Sequence, residues 1–201
     1  MEGSLIAGVD ATYAPSDRRG TEGVEEDLCW AAAVLWDCAS GRVVEQFVAQ
    51  CRVTFPYVPG LLAERELPGL LQALGRLTRR PDAVLCDGHG RAHPLRFGLA
   101  CRLGEAAHLP AVGCAKRRLV GKFKEPAAPP GSTSPLVDRG ERIGTVLRTR
   151  AAARPVYVSV GSGIELPEAE ALVMACIRTS RIPEPLRLAH LLAARAARAA
   201  G

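Results

Sequence analysis

The sequence predicts an α/β domain built on one mixed sheet. Three apolar runs come first, at 4–12, 28–36 and 43–53, and they have the length and composition of strands. The turn residues DCASGR, between the second and third runs, indicate a hairpin. From residue 61 onward, stretches with helical spacing of apolar residues alternate with short apolar runs. That order is typical of an antiparallel meander joined to parallel βα units and flanked by helices.

The same patterns assign the remaining elements. Helices are predicted over 61–77, 96–108, 165–178 and 184–200, and short strands over 83–86, 111–115, 142–148 and 155–160. Pro, Gly and Ser are frequent in 122–140, which is therefore predicted to be a surface loop, and 20–26 is predicted to be a hairpin tip. Residues 1–201 are expected to form a single domain.

Composition limits the class of protein. The net charge of +5 is compatible with a polyanionic partner such as nucleic acid. No apolar run is long enough to span a bilayer, and the first residues lack the features of a secretory signal. The chain has 7 cysteines, an odd number, without a CxxC pair, which argues against a zinc cluster and favours a reducing compartment. We therefore expect a cytoplasmic protein without a membrane partner.

Two aspartates follow apolar strand residues. Asp10 follows LIAGV, and Asp87 follows AVLC within the stretch LCDGHGRAHP at 85–94. If the two strands are neighbours, the carboxylates meet at the edge of the sheet where α/β proteins bind ligands. Two like charges ~4 Å apart repel by roughly 4 kcal/mol at an effective dielectric of 20, so the pair needs a shared proton or a cation. Carboxylates alone suit the hard ions Mg²⁺ and Mn²⁺.

A third carboxylate, Glu66, lies in the first predicted helix and would complete an acidic centre for metal-assisted phosphoryl chemistry. The alternative is that Asp10 and Asp87 are ordinary turn or helix-cap residues. Other ligands fit the glycine-rich stretch poorly. GHGRAH lacks the third glycine of a dinucleotide-binding motif, and Gly90 and Pro94 disfavour a helical pair of zinc-binding histidines.

Several separated strings of the chain resemble the endonuclease V family, whose members have a ribonuclease-H-like fold. They occur in the order of the family and cover nearly the whole chain: GVDATY at 8–13, PYVPGLLAERE at 56–66, DGHGRAHPLRFGLACRLG at 87–104, VGCAKRRLVG at 112–121, PVYVSVGSGIELPEAEAL at 155–172 and RIPEPLRLAH at 181–190. The resemblance implies an endonuclease that cuts DNA or RNA at the second phosphodiester bond 3′ to deoxyinosine or inosine. It also implies a role in the repair of deaminated adenine and a need for Mg²⁺, with Mn²⁺ able to substitute.

The resemblance also implies roles for particular residues. It places the metal carboxylates at Asp10, Glu66 and Asp87, and a catalytic lysine at Lys116. A wedge that fills the space of an extracted base falls on Pro56, Tyr57, Val58 and Pro59, and a hypoxanthine pocket falls on Gly60, Leu62, Gly88, Leu99, Gly113 and Leu119. His93 is a further candidate, for contact with a phosphate or with a metal-binding carboxylate.

One departure from the family pattern leaves an alternative open. Ser162 stands where the family usually has a histidine, which we expect beside the metals. Serine is a poor metal ligand, so the alternative is a catalytically impaired module that binds inosine. A scaffold protein that contacts a partner through Arg195 and Arg198 is a rival of another class. A monomer is the expected oligomeric state.

Overall fold

The computed structural model describes residues 3–14, 27–53 and 62–200, so the hairpin tip predicted at 20–26 lies outside the described residues. These residues form one eight-stranded sheet and four helices. The strands are β1 Leu5–Ala14, β2 Asp27–Asp37, β3 Arg42–Val53, β4 Ala83–Cys86, β5 Ala111–Ala115, β6 Thr133–Asp138, β7 Glu141–Leu147 and β8 Val156–Val160. The helices are α1 Leu62–Leu74, α2 Leu99–Ala107, α3 Leu166–Ala175 and α4 Glu184–Ala199. Within the described part of the chain, no helix is both long and apolar enough to cross a membrane.

The sheet has the order β3-β2-β1-β4-β5-β8-β7-β6. β1, β4 and β5 pair in parallel, and β2 and β3 continue from β1 as an antiparallel meander. This confirms the predicted mixed sheet. On the far side of β5, the strands β8, β7 and β6 form a second antiparallel meander.

The prediction of a surface loop over 122–140 was wrong for its second half. Residues 133–138 form β6, and Lys122 makes a further bridge to Val137. β6 lies at the edge of the sheet, where Pro135 is tolerated because no strand beyond it needs the missing amide. The Pro-rich composition that predicted a loop is therefore compatible with an edge strand.

Helices cover both faces of the sheet. Ala7 and Val9 of β1 pack in one core cluster with side chains of α1 and α2. Ile6, on the alternate face, packs with side chains of α3 and α4. The period of two along β1 thus assigns each β1 side chain to one helical layer.

Gly8 allows α4 to approach β1 closely. A Cβ atom at Gly8 would lie 2.2 Å from the carbonyl carbon of Pro185 and 2.5 Å from the amide nitrogen of Leu186. Two residues along a strand advance the chain by about 6.6 Å, and four residues along a helix advance it by about 6 Å. The contact at Gly8 therefore places His190, four residues after Leu186, level with Asp10.

Candidate active site

Asp10 and Asp87 lie side by side at one edge of the sheet. The parallel register of β1 and β4 ends at the pair Val9 and Cys86, and the two aspartates are the next residue on each strand. Asp10 is buried, at 9% exposure. Burial raises the pKa of Asp10 most, and the neighbouring charge of Asp87 raises it further, whereas His190 and Lys116 lower it. The predicted meeting of the two carboxylates is therefore present.

Glu66 approaches the same edge from α1, which covers the opposite face from α4. Its side chain is buried, and burial together with the charges of Asp10 and Asp87 raises its pKa to about 8. Arg65 acts in the opposite direction and lowers the pKa. Glu66 is therefore near enough to Asp10 and Asp87 for their charges to act on it.

Lys116 supplies a positive charge to this group. It follows the last residue of β5, and its ammonium donates a short hydrogen bond to Oδ2 of Asp87. The lysine side chain is 36% exposed, whereas that of Asp87 is 18% exposed. The ammonium therefore lies between a partly buried carboxylate and solvent, where it can meet a phosphate.

His190 is a site residue that the sequence analysis did not single out. Its Nδ1 lies 2.6 Å from Oδ2 of Asp10, and half of its side chain is exposed. The two residues are 180 positions apart, so spacing in the sequence carries no sign of the contact. The sequence did contain one indication of the role of His190, because this histidine ends the string RIPEPLRLAH, which is part of the family resemblance and lies partly on α4.

The donor chemistry of the group fits a hard divalent cation. Three carboxylates repel one another in a buried setting, and oxygen is the ligand atom that Mg²⁺ and Mn²⁺ prefer. In the described residues, the side chains as they stand do not form a group of three or more His, Cys, Asp or Glu arranged around a single ion point. Lys116 instead pairs with Asp87, and His190 hydrogen-bonds to Asp10.

The loop after Asp87 brings together three residues of the predicted hypoxanthine pocket. A Cβ atom at Gly88 would lie 3.2 Å from Leu99, and one at Gly113 would lie 2.6 Å from the carbonyl oxygen of Gly88. A Cβ atom at Gly113 would also lie 2.8 Å from the amide nitrogen of Gly90, which is too close. The space beside Gly113 is thus filled by loop backbone, so this glycine lets the loop pack against β5.

The other predicted pocket and wedge residues are placed differently. Leu119 is 47% exposed in the segment after Lys116. His93 is buried, and its Nδ1 accepts a hydrogen bond from the amide of Leu95. Leu62 is the first residue of α1. Pro56, Tyr57, Val58, Pro59 and Gly60 lie outside the described residues.

Ion pairs fasten the loop to the far meander. The guanidinium of Arg96 donates to Glu141 at 2.7 Å and to Asp138 at 2.8 Å, and it also donates to the carbonyl of His93. Arg91 donates to the other oxygen of Glu141 at 2.8 Å. The turn between β6 and β7 therefore braces the segment that follows Asp87.

Ser162 does not lie beside the carboxylates, so the expectation that its position adjoins the metals was wrong. β8 runs antiparallel to β5, and Ser162 follows the end of β8, level with the start of β5. Its hydroxyl donates to the carbonyl of Leu109 at 3.0 Å. Because Lys116 follows the other end of β5, Ser162 lies at the opposite edge of the sheet and has no contact with the acidic group.

Comparison with known proteins identifies relatives that match nearly the whole chain. A sequence profile described as Endonuclease V matches residues 1–191 of the chain. The Endonuclease V of Geotalea uraniireducens is 48% identical over 189 residues, which is 94% of this chain and 76% of that protein.

Solved structures give the same result. The crystal structure of Endonuclease V from Streptomyces avermitilis has a TM-score of 0.90 and 41% identity, over 99% of this chain and 83% of that chain. Endonuclease V from Ciona intestinalis, in complex with a 24mer DNA containing an inosine followed by a ribo-adenosine, has a TM-score of 0.83 and 20% identity, over 100% of this chain and 88% of that chain. At that identity the second likeness shows the fold alone. The mixed α/β fold is thus confirmed, and it is consistent with the expected ribonuclease-H-like class.

Proposed function

Because the chain belongs to the endonuclease V family, a family of nucleases, we propose that it hydrolyses a phosphodiester bond in nucleic acid that contains deoxyinosine or inosine. The observation that carries the proposal is the convergence of Asp10, Glu66 and Asp87 on one edge of the sheet, with Lys116 and His190 against them. Metal-dependent phosphoryl chemistry uses oxygen ligands for the cation, together with hydrogen-bond donors and positive charge near the phosphate.

The proposed cut is at the second phosphodiester bond 3′ to the deaminated base, and the product ends are a 3′-hydroxyl and a 5′-phosphate. This part rests on the resemblance of strings such as PYVPG and DGHGRAHP to the family pattern. In a cell, such a cut would begin the repair of deaminated adenine.

The proposed cofactor is Mg²⁺, for which Mn²⁺ can substitute. Asp10, Glu66 and Asp87 would hold it, since burial and then the repulsion of the neighbouring carboxylates raise the pKa of Asp10 and Glu66, and a bound cation would balance that charge. A bound ion of this kind supplies an activated water and charge stabilisation for the leaving oxygen.

Lys116 and His190 have separate proposed roles. Lys116 contacts a phosphate oxygen of the substrate, because its ammonium lies between Asp87 and solvent. His190 fixes the orientation of the Asp10 carboxylate through Nδ1, and its exposed half can contact the substrate. His93 is buried in the loop after Asp87, and we propose that it positions that loop.

We propose that the base is recognised by residues just before and at the start of α1, after β4, at the start of α2, and in and after β5. Pro56, Tyr57, Val58 and Pro59 would replace the extracted base in the stack, with the Tyr57 ring contributing ~1–3 kcal/mol by stacking. Gly60, Leu62, Gly88, Leu99, Gly113 and Leu119 would surround the base, with Gly113 acting through the loop that packs on it. Extraction costs least for a mispaired base, so selectivity begins before the pocket is reached.

The remaining expectations stay proposals. We propose that residues 1–201 act as one catalytic domain, as a monomer. The cysteine usage supports a cytoplasmic location, since none of the 7 cysteines belongs to a CxxC pair.

The test is cleavage of labelled DNA and RNA oligomers that each contain one inosine, in Mg²⁺ and then in Mn²⁺. We expect one cut on the 3′ side of the inosine, and no cut in oligomers without inosine. Asp87→Asn keeps the shape of the side chain and removes its charge, so it should abolish cleavage. Glu105→Gln, which changes an exposed carboxylate on α2, is the matched control and should cut normally.

Cleavage by Asp87→Asn at the wild-type rate would contradict the proposal. Inosine-selective binding without cleavage would instead support the impaired binding module. The position of Ser162 at the opposite edge of the sheet favours the nuclease over that module.

A further inference from the structure

A basic cleft opens beside the acidic group. It has a volume of about 750 Å³, begins at Lys116 and extends across the ends of β5, β8 and β7. Five basic side chains and one acidic side chain line it. The cleft is larger than a single phosphate requires, so its size fits an extended polyanion.

Three of the basic groups have no carboxylate partner among the described residues. Lys116 is paired with Asp87, and Arg148 is paired with Glu125. Arg117, Arg118 and Arg154 are exposed and remain uncompensated. Three uncompensated guanidinium groups around one concave surface create a positive potential that favours phosphate.

The walls of the cleft are held in place. Arg148 donates to the carbonyl oxygens of Ala127 and Ala153 and to the carboxylate of Glu125, so it joins three segments of chain. Phe123 and Tyr157 pack edge to face, with ring centroids 5.6 Å apart. These contacts hold the walls of the cleft from which the exposed arginines extend.

The cleft is placed so that one strand of a nucleic acid could occupy it and also reach the acidic group. Asp87 follows β4, and the cleft lies beyond the neighbouring ends of β5, β8 and β7 at the same edge of the sheet. From β4 to β7 the sheet has three spacings between neighbouring β-strands, which amount to about 14 Å. At about 3.4 Å per nucleotide of one strand, this distance corresponds to about four nucleotides.

We propose that this basic cleft binds backbone phosphates of the substrate within about four nucleotides of the cut, with Arg117 and Arg154 as direct phosphate contacts. The inference rests on the proposed function for the identity of the substrate. Contacts of this kind position the nucleic acid without reading its sequence. The cleft therefore supplies affinity that is the same with or without inosine.

The test measures binding of a labelled DNA duplex to the full chain in the absence of divalent ions, with salt varied between about 0.05 and 0.2 M. The variant Arg117→Ala/Arg154→Ala should lower the slope of log K against log salt by about 1.8, and its affinity should fall on the order of tenfold. A single-stranded oligomer should give a change of about 1.4. The loss should be equal for oligomers with and without inosine.

The control is Arg42→Ala/Arg76→Ala, which removes the same charge. Both residues are exposed, and they lie where β3 begins and after α1 ends, at the opposite edge of the sheet. This variant should keep the wild-type slope. Thermal unfolding should be unchanged in the cleft variant, since its two side chains have no described partner.

The outcomes separate this inference from the proposed function. If wild type prefers inosine and the cleft variant keeps the full salt slope, the cleft is not a phosphate site and the proposed function stands. If the slope falls as expected but no preference for inosine exists in wild type, the cleft is supported and the proposed function fails. If the salt slope fell equally in the control variant, the loss of net charge alone would explain the effect, and the proposal would be overturned.

Discussion

At the scale of single residues, the candidate site is an arrangement of opposed charges. Glu66 is buried among negative charges, and its pKa is about 8. Asp10 and Asp87 each have one positively charged or protonatable partner, His190 and Lys116 respectively. Glu66 therefore retains a proton that a bound cation would displace.

Glu66→Gln should change the pH dependence of stability in the metal-free protein. The folded protein keeps Glu66 protonated up to about pH 8, whereas the ordinary carboxyl value is 4.5. Since the folded state binds more protons in this window, the free energy of unfolding of wild type falls as the pH rises through it. The variant has no charge to bury at this position. As the pH rises, its free energy of unfolding should therefore increase relative to that of wild type by at most about 1.4 kcal/mol per pH unit, to a few kcal/mol.

Urea denaturation at several pH values, with a chelator present, measures this difference. Glu105→Gln removes an exposed carboxylate and should follow wild type. Saturating Mg²⁺ should reverse the order of stability, because a cation stabilises the ionised carboxylate that the variant lacks. A gap between Glu66→Gln and wild type that is constant with pH would show that the carboxyl group is not protonated in the fold.

The predictability of the site follows from how each residue is placed. Asp10 and Asp87 are predictable because each ends an apolar run, and parallel neighbours bring such ends together. His190 is not predictable from spacing, because a helix crossing at Gly8 brings it to Asp10 from 180 residues away. Ser162 was misplaced because its distance from the carboxylates depends on the antiparallel direction of β8, which its own sequence does not indicate.

At the scale of secondary-structure elements, the site depends on how α4 lies on β1. Glycine at position 8 has no side-chain atom to hold the helix away at this contact. The same scale explains the missed strand: β6 has six residues, includes a proline and sits at the sheet edge, so its local sequence resembles a loop. Longer elements with clear periodicity, such as β2 and β3, were predicted almost to their ends.

Gly8→Ala should disturb the site through this helix. The added methyl group would lie 2.2 Å from backbone of Pro185, so α4 must move and the contact between His190 and Asp10 should be lost. Overpacking of this kind costs ~1–3 kcal/mol. We expect a lower melting temperature and a lower cleavage rate.

A double-mutant cycle with His190→Ala isolates the cause. If Gly8→Ala acts through the histidine, the two changes should be non-additive in kcat, and Gly8→Ala should have little further effect once His190 is removed. Additive losses in kcat would mean that the glycine supports the site by another route.

At the scale of the whole molecule, the sheet joins two halves with different tasks. The half with β1 and β4 carries the carboxylates, and the half with β6, β7 and β8 carries one wall of the basic cleft and the turn that braces the loop after Asp87. Arg96 connects the halves, because its guanidinium binds Asp138 and Glu141 from the loop side. We infer that this connection keeps the loop in register with the carboxylates.

Arg96→Ala should loosen the loop without unfolding the sheet. Its side chain is 21% exposed and that of Asp138 is 24% exposed, so among the described residues the change leaves Asp138 only the longer contact with Arg139, at 3.9 Å. Arg91→Ala is the matched control: its side chain is 51% exposed and that of its partner Glu141 is 42% exposed, and solvent screens exposed pairs of that kind. Hydrogen exchange should therefore speed up across residues 88–98 in Arg96→Ala, with a lower kcat, and stay near wild type in Arg91→Ala. If both variants exchanged at the wild-type rate, the loop would be held by its packing against Gly113 and Val160, and the ion pairs would contribute only to the surface.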